Sequence, residues 1–151
     1  MSVDVFVASH GSFYDLPTKH EKLLHRMEGG PNPFIDHAGF LAYIDIFDQE
    51  GNFLAQWTQF GRPSGIFFDD HDRIFVADSE SDDVQNPGWE MGIRIGDALT
   101  GWVTEFILFP GGDPRETAGN GAEFVAVDRY GNMYGGEPRP RNLQRYVRVR
   151  P

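Results

Sequence analysis

Ser64-Gly-Ile-Phe-Phe-Asp69-Asp-His-Asp-Arg-Ile-Phe-Val-Ala-Asp78 is answered further along the chain by Glu123-Phe-Val-Ala-Val-Asp128-Arg-Tyr-Gly-Asn-Met-Tyr-Gly-Gly-Glu137. Each stretch is an apolar run, an Asp, a tight polar turn and a second apolar run closed by an acid. Asp78 and Glu137 close the two copies 59 residues apart, so the chain carries an internal repeat, and a repeat decides architecture before any single residue does.

The echo spreads to both sides. Asp4-Val-Phe-Val-Ala-Ser9 copies the closing run Arg73-Ile-Phe-Val-Ala-Asp78. Tyr43-Ile-Asp-Ile-Phe47-Asp-Gln-Glu-Gly51-Asn-Phe53-Leu reads as two more strands joined by a turn in which Gly51 supplies the positive φ. Ile93-Arg-Ile95-Gly-Asp97-Ala-Leu-Thr-Gly101-Trp-Val-Thr-Glu-Phe-Ile107 is a looser copy of that hairpin. The unit is therefore a four-stranded antiparallel meander, and units of roughly 40 or more residues with four short strands have the length of a β-propeller blade.

The wording resembles a family. Gly-Arg-Pro-Ser-Gly-Ile-Phe-Phe-Asp-Asp, continued by Arg-Ile-Phe-Val-Ala-Asp-Ser, spans Gly61 to Ser79 and is similar to an NHL repeat, with Ile93-Arg-Ile following in blade order. The resemblance covers residues 40 to 107 well, 121 to 149 fairly, and thins before residue 40. Arg94 and Gly92 both stand where the family's usual Arg would fall. The expected fold class is all-β, an NHL-type β-propeller of about three blades in one domain. Blade 1 spans about 3–57 with a helical insertion at 11–39, blade 2 about 63–108 and blade 3 about 121–149. NHL propellers commonly close with about six blades, so this is a partial ring. A symmetric homodimer that pairs the open edges near Val3 to Val7 and Tyr146 to Val149 is the expected way to cover them, unless the chain is a fragment of a longer one.

With 40% apolar and 14% aromatic residues, 151 residues can bury a core as one domain. The net charge of −10 argues against nucleic acid and anionic membranes as partners, because both need clustered Lys and Arg. The Arg-rich stretch Arg139 to Arg150 is the local exception, either a solvated strand edge or a phosphate site. Without cysteine there is no disulfide or thiolate chemistry. The first residues lack the basic start and apolar core of a signal peptide, and no apolar run reaches membrane-spanning length, so a cytoplasmic location is the expectation.

In a meander, successive turns fall on alternate ends of the blade. The turns Asp48 to Asn52, Asp69 to Arg73, Asp97 to Gly101 and Asp128 to Asn132 are short, whereas the links His10 to Phe40, Ser79 to Gly92 and Phe109 to Gly121 are long, with Glu137 to Asn142 shorter and Thr58 to Pro63 the exception. One end is clipped and the other elaborated, and function in such scaffolds sits on the elaborated end. Within the longest link, Thr18-x-x-Glu21 has capping-box spacing, Leu23, Leu24 and Met27 form an apolar stripe, and Gly29-Gly30-Pro31 stops it, which predicts a helix over about 19–28. Its histidines His20 and His25, five residues apart, do not share a face.

Glu123 begins a blade's first strand, which opens onto a propeller's channel, and a carboxylate there is a hard ligand for Ca²⁺. Calcium-dependent lactonases of the gluconolactonase and paraoxonase type place Glu, Asn and Asp at such strand starts, so the resemblance implies a metal role for Glu123. Ser64 is the equivalent position one blade earlier, where those lactonases often have Asn, and its hydroxyl is a poorer ligand. The loop Asp78-Ser-Glu80-Ser-Asp82-Asp83 adds an oxygen-rich surface: Asp78, Glu80, Asp82 and Asp83 are candidate calcium ligands. It is not an EF-hand, since Asp83 replaces the turn Gly and Trp89 stands where the bidentate Glu belongs. Asp78 can instead cap the loop through side-chain to backbone hydrogen bonds.

His10 and His37 border the long insertion, and either could accept the proton of an attacking water. His71 lies in a clipped turn, on the wrong end for that role. Trp89 is the aromatic expected to touch substrate together with Ser64, whereas Trp57 and Trp102 close fourth-strand patterns and are expected in the blade core. The resemblance implies two activities and one alternative. The first is a calcium-dependent hydrolase opening acyl-homoserine or sugar lactones, with Ca²⁺ polarising the carbonyl of a small-molecule substrate. Peptidyl-hydroxyglycine amidating lyases are similar in wording, but their channel zinc is held by histidines where this chain has Ser64 and Glu123. The alternative is a non-catalytic NHL-type binding or scaffolding propeller, which has no catalytic requirement to meet.

Overall fold

The computed structural model describes residues 43–81, 86, 88–110, 121–137 and 141–149, and the backbone of residues 5–9. The described residues contain ten strands and no helix. The strands are β1 (Val5–Ser9), β2 (Tyr43–Phe47), β3 (Phe53–Trp57), β4 (Pro63–Phe68), β5 (Arg73–Asp78), β6 (Gly92–Asp97), β7 (Val103–Leu108), β8 (Phe124–Val127), β9 (Met133–Glu137) and β10 (Asn142–Tyr146). The helix expected over 19–28 lies outside the described residues.

The strands form three antiparallel sheets, none closed on itself. β4-β5-β6-β7 is the complete meander, flanked by β1-β2-β3 and by β8-β9-β10. In the first sheet β1 takes the second-strand place of the repeat, pairing Val7 with Asp45, while in the third sheet β8, β9 and β10 take the first three places. Every neighbour in these sheets is a neighbour in sequence order, and the short turns after β2, β4, β6 and β8 fix the register of the pairs they join.

One device makes those turns. Asp48, Asp69 and Asp128 each accept the backbone N–H four residues on, at 2.7 to 3.0 Å, and bond the side chain there as well. The residue before that N–H is left-handed in all three: Gly51 at φ 81°, Asp72 at φ 56° and Gly131 at φ 82°. An Asp at the turn entrance therefore does locally what a β-strand cannot, folding the chain back by satisfying its own backbone donors. These bonds reach only four residues along the chain, which makes the turns legible in the sequence.

The sheets are layered, and alternation along the middle sheet sorts the layers. Ile74 and Val76 of β5 pack with Ile44 and Phe60 toward the first sheet. Phe75 and Ala77, on the opposite face, join Ile93 and Ile95 of β6 against Val125 and Met133 of the third and Ala122 just ahead of it. A strand apolar on both faces is a buried strand, and removing such a side chain from water stabilises the fold by about 1.5–3 kcal/mol. Trp57 lies half-buried against the first cluster. Trp102 corrects the expectation of a core residue: it is 73% exposed, because it sits in the turn ahead of β7, where the register shifts between Ile95 and Gly96.

The first strands of two sheets meet at the elaborated end. A Cβ on Gly65 would stand 2.6 Å from Phe124 Cα and 2.8 Å from the Glu123 carbonyl oxygen, so only a glycine lets β4 and β8 approach this closely.

Candidate functional site

Ser64 is the extra residue of a bulge. Pro63 pairs with Asp78 and Gly65 with Ala77, so nothing on β5 opposes Ser64, and its hydroxyl turns to the hydroxyl of Ser79, with which it shares a hydrogen bond. Ser79 in turn gives its carbonyl to the Gly121 N–H at 2.8 Å, and the Met91 sulfur takes the same donor at 3.3 Å. This ties the start of the β8 segment to the loop after β5. Glu123, half-buried, donates its N–H to the Gly136 carbonyl at 2.9 Å. Ser64 and Glu123, equivalent by sequence, thus stand at neighbouring strand starts, their backbones in contact through Gly65.

Beneath them lies a buried charge pair. Asp78 is fully buried, and its Oδ2 accepts from Arg94 Nη1 at 2.6 Å and from the Ser81 hydroxyl at 2.6 Å. Its Oδ1 accepts from the Ser81 N–H at 3.0 Å. Arg94 is held on every side: Nη2 donates to the Glu90 carbonyl at 3.0 Å, and the guanidinium lies 4.7 Å from the Trp89 ring centre and 4.5 Å from that of Phe106. Burial pushes the Asp78 carboxyl upward, opposed by the charge of Arg94 and the donors of Ser81. Burial likewise pulls Arg94 down, opposed by Asp78. Each group is the other's replacement for water.

Arg94 is thus the cation that faces Asp78. Gly92 has a steric role: a Cβ there would meet the Ile107 carbonyl oxygen at 2.2 Å and the Phe106 ring at 2.6 Å. Gly61, left-handed at φ 72°, closes over the pair, since its Cβ would fall 1.9 Å from Asp78 Oδ2.

The other acid of the loop within the described residues is also paired. Glu80 carboxylate lies 2.8 Å from Arg62 Nη2, and Arg62 Nη1 donates to the Glu80 carbonyl at 3.2 Å. Trp89, expected to face substrate, is half-buried against Arg94. His10, His37, Asp82 and Asp83 lie outside the described residues. The structure thus draws Ser64, Asp78, Glu80 and the Glu123 backbone to one end, with Asp78 and Glu80 each carrying an arginine.

Sequence reasoning passed over Arg62 and Arg94 as partners of these acids. The signal for Arg94 was a charge between Ile93 and Ile95, on the face of β6 registered with Val76 and Phe106, but its partner sits 16 residues away and only the sheet register joins them. Among the described residues the one cluster of three metal-ligating side chains is Asp69, Asp70 and His71, at the clipped end. There His71 Nδ1 lies 2.9 Å from Asp70, while Asp69 is taken by Arg73 at 2.6 Å and by its own turn. A carboxylate so engaged is a turn clamp, and the cluster gives no support to calcium.

No family model matches the chain, and no curated protein matches it. No helix among the described residues is long and apolar enough to cross a membrane.

Proposed function

We propose that the chain is a piece of an NHL-type β-propeller that serves as a binding scaffold. The observation that supports this most is the engagement of the acids at the elaborated end: Asp78 is neutralised by Arg94 and Glu80 by Arg62. A calcium site needs several oxygens free to converge on one ion, and a carboxylate already bonded to an arginine and two serine donors is a poor member of such a set. Both arginines sit in the frame of the middle sheet, so these charges shape the loop. Layered sheets with a shaped loop end are a scaffold for contacts with other molecules.

The hydrolase reading keeps one favourable observation, the position of Glu123 at a strand start beside Ser64. Calorimetric titration with Ca²⁺ and a lactonase assay on acyl-homoserine and sugar lactones separate the two. The scaffold reading expects no calcium heat and no turnover, with Glu123→Gln behaving as the parent protein. Calcium-dependent lactone opening that Glu123→Gln abolishes overturns it in favour of the hydrolase.

A further inference from the structure

We infer that Glu137 receives the guanidinium of an arginine presented by a partner peptide. The inference rests on the scaffold reading and names the chemistry of the partner. The internal repeat supplies the comparison, because Glu137 closes the second copy as Asp78 closes the first. Both acids are buried, Asp78 fully and Glu137 at 6% exposure. Asp78 is met by the Arg94 guanidinium at 2.6 Å, by the hydroxyl and N–H of Ser81, and by the backbone N–H of Arg62. At Glu137 the corresponding places are held by other residues. Asn142 pairs with Glu137 as Gly92 pairs with Asp78, so Gln144 stands in the place of Arg94. Three residues past the acid, Ser81 is answered by Pro140, which has neither a hydroxyl nor an N–H. Gly121 stands in the place of Arg62, and its N–H goes to the Ser79 carbonyl. Among the described residues the one partner of the Glu137 carboxylate is the Asn142 amide, at 3.5 Å.

A buried carboxylate is costly without donors, and a contact of this length lies at the outer limit of a hydrogen bond. The first copy shows what satisfies such an acid: a planar guanidinium. At Glu137 that group has to arrive from elsewhere. Glu137 ends β9 at the elaborated end, and Asn142 beside it is exposed, so an entering group has one weakly held amide to displace. In the middle sheet the fourth strand brings the Phe106 ring to Arg94 and no cation to Asp78, so by the repeat a further strand beside β10 would leave the need of the acid unmet. The net charge of −10 favours a basic segment as the occupant. Arginine fits better than lysine, because its rigid fork offers two donors to one carboxylate.

The test is a heteronuclear NMR titration of the whole chain with the peptide acetyl-Gly-Gly-Arg-Gly-Gly-amide and its citrulline and lysine forms. Saturable shifts of the Glu137 and Asn142 amides are expected with the arginine peptide at millimolar concentration. The citrulline form, alike in shape but uncharged, should bind at least about tenfold more weakly, with the lysine form between the two. Guanidinium ion alone, which lacks the apolar stem, should bind several-fold more weakly than the peptide. Glu137→Gln should weaken binding of the arginine peptide at least about tenfold and melt no lower than the parent protein, since it removes a buried charge that lacks a partner cation. Gln144→Arg, which copies the middle sheet, should raise the melting temperature and exclude the peptide. The inference is overturned by the absence of saturable shifts, by equal binding of the citrulline form or of guanidinium ion, or by unchanged binding in either variant. A lower-melting Glu137→Gln overturns it too, because the charge would then already be met. Failure here leaves the scaffold reading standing, whereas calcium-dependent lactone opening removes that reading.

Discussion

Replacing Asp78 with Asn keeps the size of the side chain and removes the charge that faces Arg94. The guanidinium stays where its other contacts hold it, 7% exposed between Trp89, Phe106 and the Glu90 carbonyl. The new amide also turns an N–H toward a site where Oδ2 accepted from both Arg94 and Ser81. Removing one partner of a buried pair costs about 3–5 kcal/mol, because the remaining charge is uncompensated. With a urea dependence of about 2 kcal/mol per molar, the unfolding midpoint should fall by roughly 1.5–2.5 M. Ser81→Ala is the internal comparison: it removes one neutral donor, the hydroxyl, while keeping the backbone N–H on the same carboxylate, and should cost only about 1–2 kcal/mol. Arg94→Met completes a double-mutant cycle with Asp78→Asn, and the double variant should be more stable than the sum of the singles implies by about 1–3 kcal/mol. Urea unfolding followed by tryptophan fluorescence reads all of these. If Asp78→Asn costs less than about 1 kcal/mol, or the cycle is additive, the pair does not hold the loop end together and the reasoning fails.

Two further expectations concern the clipped turns. Asp72 is left-handed at φ 56° where the matching residues are Gly51 and Gly131, so Asp72→Gly should relieve backbone strain in excess of the entropy the glycine adds to the unfolded chain. A rise in melting temperature of about 1–3 °C is expected, and a fall would contradict the assignment. At Asp128 the bonds from Asn132, Tyr130 and Tyr134 hold the carboxyl down to about 2, against an ordinary value of 3.8. A lowered folded-state pKa gives stability that is present above 3.8 and is lost as pH falls from there through about 2. The melting-temperature gap between the parent protein and Asp128→Ala should accordingly be widest near neutrality and narrow between pH 4 and pH 2; a gap constant over that window would refute the turn-clamp account.

The strands were legible because their information is local. Asp48, Asp69, Asp97 and Asp128 announce the turns, and the period-two runs between them set which side chains share a face. The first-strand runs Gly65 to Phe68 and Phe124 to Val127 fall within β4 and β8, and the four-stranded order of the middle sheet is the expected meander. Legibility ended where partners are distant in sequence. Asp78 was readable as a loop cap, since Ser81 is three residues away, but its charge partner on β6 was not. The bulge at Ser64 depends on how β4 slips against β5, and the exposure of Trp102 on how the turn enters β7. Whether the three sheets belong to a propeller is a question of their arrangement about an axis, which repeat spacing alone does not encode.

The two faces of the middle sheet are not alike, and this gives the stack a direction. Ile66, Ile74 and Val76 look back toward the first sheet, while Phe67, Phe75 and Ala77 look forward toward the third. Val125 and Met133 of the third sheet repeat the backward set at matching places in its sequence. The middle unit therefore carries a socket on one side and a plug on the other. A tandem duplication of the coding segment for one unit would produce a layer that already fits its predecessor, so the length of such an array can change in a single genetic event while each interface stays as it was.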